Sequence, residues 1–145
     1  MSETPLTNFH FQVEWGDDAK ISFTEVSGLN LEHEVIEYRE GNSKIYARKH
    51  VAGLRKYGNV VLKRGLFQGD NQFFDWWNKV NYEEEEDKRT VTIKHLDVNH
   101  EPDVTWILQD AWPVSVKYTG LHALKSKILI ERLELTYESL SMINE

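Results

Sequence analysis

Phe9, Phe11, Val13 and Trp15 interleave with His10, Gln12 and Glu14, the two-residue period of a half-buried strand. Gly16-Asp17-Asp18 marks a turn, and Ile21 and Phe23 resume the alternation. The phase slips near Val26 and Gly28, which predicts a bulge or bend where glycine permits unusual dihedrals. Leu31 to Tyr38 reads as a further strand. Gly41-Asn42-Ser43 turns it into a return strand around Ile45-Tyr46 that ends near Gly53, a long hairpin. Asn59 to Phe67 predicts the next strand.

The period then changes. Phe73, Phe74, Trp77 and Val80 follow Gly69-Asp70-Asn71 at helical spacing, so a helix over about residues 70–82 is expected, with Asp70 or Asn71 at its N-terminus. Trp76 and Trp77 are adjacent, so one of them leaves the core face. The acidic run from Glu83 to Asp87 reads as a solvated loop. Val91 and Ile93 alternate with polar residues, Asn99-His100-Glu101-Pro102 is a turn, and the even positions from Val104 to Tyr118 are apolar except Asp110. Pro113 cannot donate to a ladder, which puts that stretch at an edge or a bulge. Thr119 to Ser126 reads as a loop and Ile128 to Tyr137 as a last strand with a phase shift. Seven or eight strands and one helix predict a mainly β fold, an antiparallel sandwich or barrel with a helix alongside.

Length and charge narrow the function classes. At 145 residues one domain is expected, with residues 1–8 and 141–145 as flexible or interface tails. There is no cysteine, hence no disulfide or thiolate metal site, and no apolar stretch approaches the ~20 residues that span a bilayer. Net charge is −7, which speaks against specific nucleic-acid binding. The charge is segregated: residues 42–69 hold seven basic residues (Lys44, Arg48, Lys49, Arg55, Lys56, Lys63, Arg64) and no acidic one.

No catalytic constellation emerges, so no enzymatic role and no cofactor are expected. Ser27-Gly28 lacks the GxSxG frame, and Gly65 to Gly69 lacks phosphate-loop spacing. The six histidines show no HxH or HxxxH pairing; His95, Asp97 and His100 lie near one another across a strand end and read as solvated side chains, not metal ligands. Aromatics interleaved with the basic arm, Tyr46 and Tyr57, leave open a different class of reading: a monomeric nucleic-acid-binding β-barrel module.

Several segments resemble the tail-tube proteins of contractile phage tails and contractile injection systems. They are Glu25-Val26-Ser27-Gly28-Leu29 through Glu37-Tyr38-Arg39-Glu40-Gly41, Asn59-Val60-Val61-Leu62-Lys63-Arg64-Gly65, Phe74-Asp75-Trp76, Ala111-Trp112-Pro113, and Ile130 to Leu135 with Tyr137-Glu138. The resemblance runs from about Phe9 to Leu140. The chain departs from the family at Ala52-Gly53, where Pro-Gly is usual, and at Ser126-Lys127, where Asn and an acid are usual.

The resemblance implies two antiparallel sheets in a barrel-like sandwich with one flanking helix, and hexameric rings stacked into an inner tube inside a sheath. Its implied partners are further copies of itself, the sheath, baseplate or spike-hub and tube-terminating cap proteins, and cargo in the lumen. It implies synthesis in the cytoplasm and assembly into a contractile particle, extracellular or membrane-anchored, or into a virion if the particle is a phage. The protruding hairpin is then expected to contact a neighbouring subunit or ring through Tyr38, Arg39, Glu40, Gly41, Lys44, Tyr46, Arg48, Lys49, Arg55 and Lys56. Glu83, Glu84, Glu85 and Glu86 are expected as the acidic counter-surface.

Overall fold

The computed structural model describes residues 6–7, 9–16, 20–21, 23–42, 44, 47–81 and 87–145. It contains β1 (Phe11–Trp15), β2 (Lys20–Ile21), β3 (Glu25–Ser27), β4 (Leu31–Tyr38), β5 (Lys49–Tyr57), β6 (Val60–Gly65), α1 (Gln72–Lys79), β7 (Arg89–Leu96), β8 (Pro102–Tyr118), β9 (Ile130–Thr136) and β10 (Ser139–Asn144).

The long strand β8 belongs to two sheets. Its first half lies between β7 and β10, in the sheet that continues through β1 to β2; its second half pairs β9, in the sheet that continues through β6 to β3. The change of sheet falls where the chain is least regular. Asp110 adopts φ 53°, and the register with β9 shifts between Pro113 and Ser115. Pro113 therefore sits beside a bulge, as its missing amide requires. Around β8 the sheets fold over one core. The strand path runs from β2 to β3 without closing among the described residues, so the architecture is an open sandwich and not a closed barrel.

Alternation dictates the core. Val13 and Trp15, Val60 and Leu62, Val91 and Ile93, and Leu133 and Leu135 point inward two by two. The helix is shorter than expected, and its core-facing aromatics are Phe73 and Trp76, while Trp77 is 44% exposed. Trp15 meets Phe73 and Trp76 edge-on at 5.3 and 5.2 Å between ring centroids. Asn71 occupies the N-cap position without a side-chain cap; Asp70 Oδ1 instead accepts the Gln72 amide at 3.1 Å.

Three expectations shift. The return strand of the hairpin begins at Lys49 and extends to Tyr57, beyond Gly53. The last predicted strand breaks at Tyr137-Glu138 and continues as β10, which pairs β8 from Ser139↔Gln109 to Asn144↔Val104. Residues 141–144, expected as a tail, are thus ladder residues. Gly28 bears out the bend after Ser27: its φ is +90°, and a Cβ there would lie 2.1 Å from the Asn59 carbonyl oxygen.

Candidate assembly surface

The β4–β5 hairpin is a two-stranded sheet of its own. Its register is Leu31↔Tyr57, Glu32↔Lys56 and His33↔Arg55, then, after a shift, Val35↔Ala52, Ile36↔Val51, Glu37↔His50 and Tyr38↔Lys49. The shift leaves Gly53 and Leu54 opposite Glu34 alone. A Cβ on Gly53 would approach Glu34 and Ile36 to 3.2 Å, so the bulge suits glycine. Because side chains alternate, Val35 and Ala52 take one face while Ile36, Val51 and Tyr38 take the other. Both faces carry exposed apolar side chains, and Leu54 at the bulge is 75% exposed. An isolated hairpin is marginal in water. Contiguous exposed apolar patches are a general feature of interaction surfaces.

The charged residues of the hairpin largely answer one another. Arg48 Nη1 lies 2.6 Å from Glu37 Oε2, His50 Nε2 lies 3.7 Å from Glu37 Oε1, and Lys56 Nζ lies 3.3 Å from Glu34 Oε1. The acidic limb and the basic limb thus fold onto each other, a pairing that the linear charge boundary near Gly41 concealed. Tyr38, Arg39, Glu40, Gly41, Lys44, Arg48, Lys49, Arg55 and Lys56 are all exposed on the hairpin or at its tip. Tyr46 and Glu83 to Glu86 lie outside the described residues.

Sequence reading missed the apolar half of this surface: Leu31, Val35, Ile36, Val51 and Leu54. The adjacent Val35 and Ile36 were the available signal, since neighbouring strand residues cannot share a face. It also missed a second exposed apolar group, Leu121, Leu124 and Ile128, on the segment between β8 and β9.

A buried polar network ties the scaffold below. Arg64 Nε meets Glu131 Oε1 at 3.0 Å, and its Nη1 and Nη2 bind Asp70 at 3.0 and 3.1 Å, with the guanidinium 4.0 Å from the Phe73 ring centroid. Burial works to raise the Asp70 carboxyl. The Gln72 amide and Arg64 outweigh it and hold Asp70 below the usual carboxylate value. Tyr118 is pushed up to about 12, first by burial of its hydroxyl and then by its bond to Glu131. Three elements, β6, β9 and the start of α1, are locked together here.

Both ring nitrogens of His95 are engaged within the chain. Its Nδ1 lies 2.6 Å from Asp103 Oδ1, and its Nε2 bonds the Thr7 carbonyl. Asp97 caps its own turn through the Asn99 and Glu101 amides, at 2.8 and 3.0 Å. Among the described residues no group of three His, Asp or Glu side chains converges to hold an ion. No helix among them is long and apolar enough to cross a membrane.

Comparison with known proteins agrees with this architecture. The family model described as T4-like virus tail tube protein gp19 matches residues 7–141. A chain of an extracellular contractile injection system, the PVC sheath-tube complex in its extended state, is 29% identical, with a TM-score of 0.87 over 99% of this chain and 94% of that one. A chain of the anti-feeding prophage tube-terminating cap is 25% identical, with a TM-score of 0.88 over 100% and 95% of the two chains. Hcp1 from Flavobacterium johnsoniae shares the fold at 13% identity, with a TM-score of 0.56 over 94% and 97%. None of the curated proteins compared matches.

Proposed function

The chain belongs to the T4-like virus tail tube protein gp19 family, and on that premise we propose that it is the inner-tube subunit of an extracellular contractile injection particle. In this reading six copies form a ring, rings stack into a tube, and the tube runs inside a sheath between a baseplate and a terminating cap. The role is structural: sheath contraction supplies the work, and the tube carries cargo through its lumen. Support comes from near-complete two-way coverage with chains of the PVC sheath-tube complex and the anti-feeding prophage cap. The gp19 family description favours the second reading, a contractile phage tail tube.

One structural observation carries the assembly. The hairpin exposes Val35, Ile36, Val51 and Leu54 with no layer of the same chain packed over them among the described residues. Burying such a ribbon against a second copy removes apolar area from water at roughly 25 cal/mol per Å². The ion pairs that cross from one limb to the other at Glu37 and Glu34 then keep the ribbon's limbs in register. The charged tip residues Arg39, Glu40 and Lys44, with Lys49 and Arg55, are assigned to orienting the neighbour.

The test is assembly of the purified chain. Wild type should elute as a high-mass species and show rings or tubes on negative-stain grids. Leu54→Asp together with Val35→Asp should leave a folded monomer. A wild-type monomer that binds nucleic acid with steep salt dependence would replace the tube reading with that of a nucleic-acid-binding module.

A further inference from the structure

One rung of the second sheet concentrates positive charge in an otherwise acidic protein. Glu25 pairs in register with Lys63, Lys63 with Arg132, and Arg132 with Lys117, across β3, β6, β9 and β8. The neighbouring rung, Val26–Leu62–Leu133–Val116, faces the core, so the charged rung faces outward. Three cations in directly opposed positions repel one another. Two carboxylates offset them: Glu25 lies 3.2 Å from Lys63 Nζ, and Glu134 Oε1 lies 3.3 Å from Arg132 Nη1. Glu134 is shared, since its other oxygen accepts the Asn59 side-chain amide at 3.0 Å. Lys117 has no ion pair among the described residues, which leaves the rung one positive charge in excess.

These side chains line a cleft of about 410 Å³ together with Thr24 and Thr119. At its wall Glu25 is paired with Lys63 and the Thr24 hydroxyl donates to the Lys63 carbonyl at 3.1 Å, while Lys117, Arg132 and Thr119 hold the donor capacity that remains. Arg132 Nη1 is shielded from solvent, and its 3.3 Å contact with Glu134 is an ion pair without hydrogen-bond geometry, so the guanidinium keeps donor capacity to spare. The Thr119 hydroxyl oxygen accepts the Ile130 amide at 3.1 Å, so its own proton remains to be donated. The Lys117 ammonium adds three more donors. A ligand with acceptors only and a compact negative charge meets all of these at once.

We propose that this cleft is an oxyanion site for a phosphate-type group, held by Arg132, Lys117 and the Thr119 hydroxyl. It is independent of the assembly reading, because it rests on one subunit's own sheet face. Such an anion relieves the repulsion along the rung and makes charge-assisted bonds, the stronger class of hydrogen bond. The same chemistry is offered by free phosphate and by the terminal phosphate of a nucleotide.

The test is a titration of the purified protein with inorganic phosphate at constant ionic strength, read by phosphorus NMR line broadening and by thermal unfolding. A parallel arm uses adenosine triphosphate. Wild type should bind phosphate saturably and unfold at a higher temperature when loaded. Lys117→Ala and Arg132→Gln should each weaken binding about tenfold, the loss of one charge-assisted bond. Tighter binding of the nucleotide assigns the site to a phosphoryl group on a larger ligand, and equal binding assigns it to the free anion. An equal response to chloride, or an undiminished response in both variants, overturns the proposal. Lys117→Ala without phosphate should be at least as stable as wild type, because it relieves like-charge repulsion; this separates lost binding from lost folding.

Discussion

Arg64 and Glu131 form an ion pair of 3.0 Å while only 2% and 1% exposed. Arg64 also binds Asp70, so one guanidinium spends three of its five N–H donors on two carboxylates. Removing one member of a buried pair strands the other without solvent, at about 3–5 kcal/mol. Arg64→Met should therefore destabilise the fold by that order, and the double change with Glu131→Leu should recover much of it. Urea denaturation of the three variants checks this. Equal losses in the single and double variants would remove the pair from the account of stability.

The glycine at position 28 is the sharpest single constraint on the backbone. Gly28→Ala places a methyl 2.1 Å from the Asn59 carbonyl oxygen at a φ of +90°, so strands β3 and β6 must separate. A loss of at least about 2 kcal/mol follows. Gly69→Ala is the control: its φ is +82°, but nothing lies within 4 Å of the added atom. It should cost about 1 kcal/mol, the left-handed penalty alone. Thermal unfolding of the two variants side by side measures the difference.

The adjacent tryptophans of α1 separate core from surface. Trp76 is 1% exposed and donates Nε1–H to the Asp87 carbonyl at 2.7 Å, whereas Trp77 is 44% exposed beside Phe74. Trp76→Ala should cost about 3–5 kcal/mol. Trp77→Ala should cost well under half of that in the isolated chain. Guanidinium denaturation of both decides; comparable losses would mean that Trp77 is more deeply packed than its exposure indicates.

His95 supplies a pH dependence. Both of its ring nitrogens face acceptors, Asp103 and the Thr7 carbonyl, so both must carry protons for the two bonds to coexist. The bond to Asp103 is the largest cause of its raised pKa, opposed by burial and aided by Thr7 and Asp97. A raised folded pKa stabilises fully below the unfolded value of about 6.5 and is lost as pH rises through the folded value. The partner works in the opposite sense: the bond from His95 lowers Asp103, whose contribution fades only as pH falls below the ordinary carboxylate range. The urea midpoint should therefore decline as pH rises above about 6.5 in wild type and stay flatter in His95→Gln. Parallel profiles for the two proteins would exclude His95 as the cause.

The hairpin ion pair distinguishes two uses of Arg48. Arg48→Glu removes the 2.6 Å contact with Glu37, and so exposed a pair contributes at most about 1 kcal/mol to the monomer. If assembly depends on the hairpin's own register, adding Glu37→Arg restores the pair and should restore tubes. If Arg48 meets an acidic neighbour directly, the charge swap leaves assembly impaired. Tube length by electron microscopy separates the two.

How much of this was legible beforehand follows from which forces act locally. The strand from Leu31 to Tyr38 was read to its observed ends, because the glycine turn that follows it is a local signal. The bend at Gly28 and the bulge beside Pro113 were legible for the same reason. The break at Tyr137-Glu138 was not, because β10 owes its extension to the partner strand β8 and its own residues carry weak alternation. Position 48 was read as a contact to a neighbouring subunit because Glu37 is eleven residues away along the chain; only the hairpin register brings the two together.

By itself, the sequence determined the mainly β class, the helix around Phe73 and Trp76, the turn glycines and the segregation of charge. These depend on periodicity, side-chain size and backbone sterics, all carried by neighbours in the chain. The tertiary structure decided that β8 serves two sheets, that Arg64 sits buried between Glu131 and Asp70, and that the hairpin stands apart with apolar side chains on both faces. It also decided that Lys63, Arg132 and Lys117 share one rung. Each of these is a pairing between residues far apart in sequence, set by strand register, and register is a property of the folded sheet.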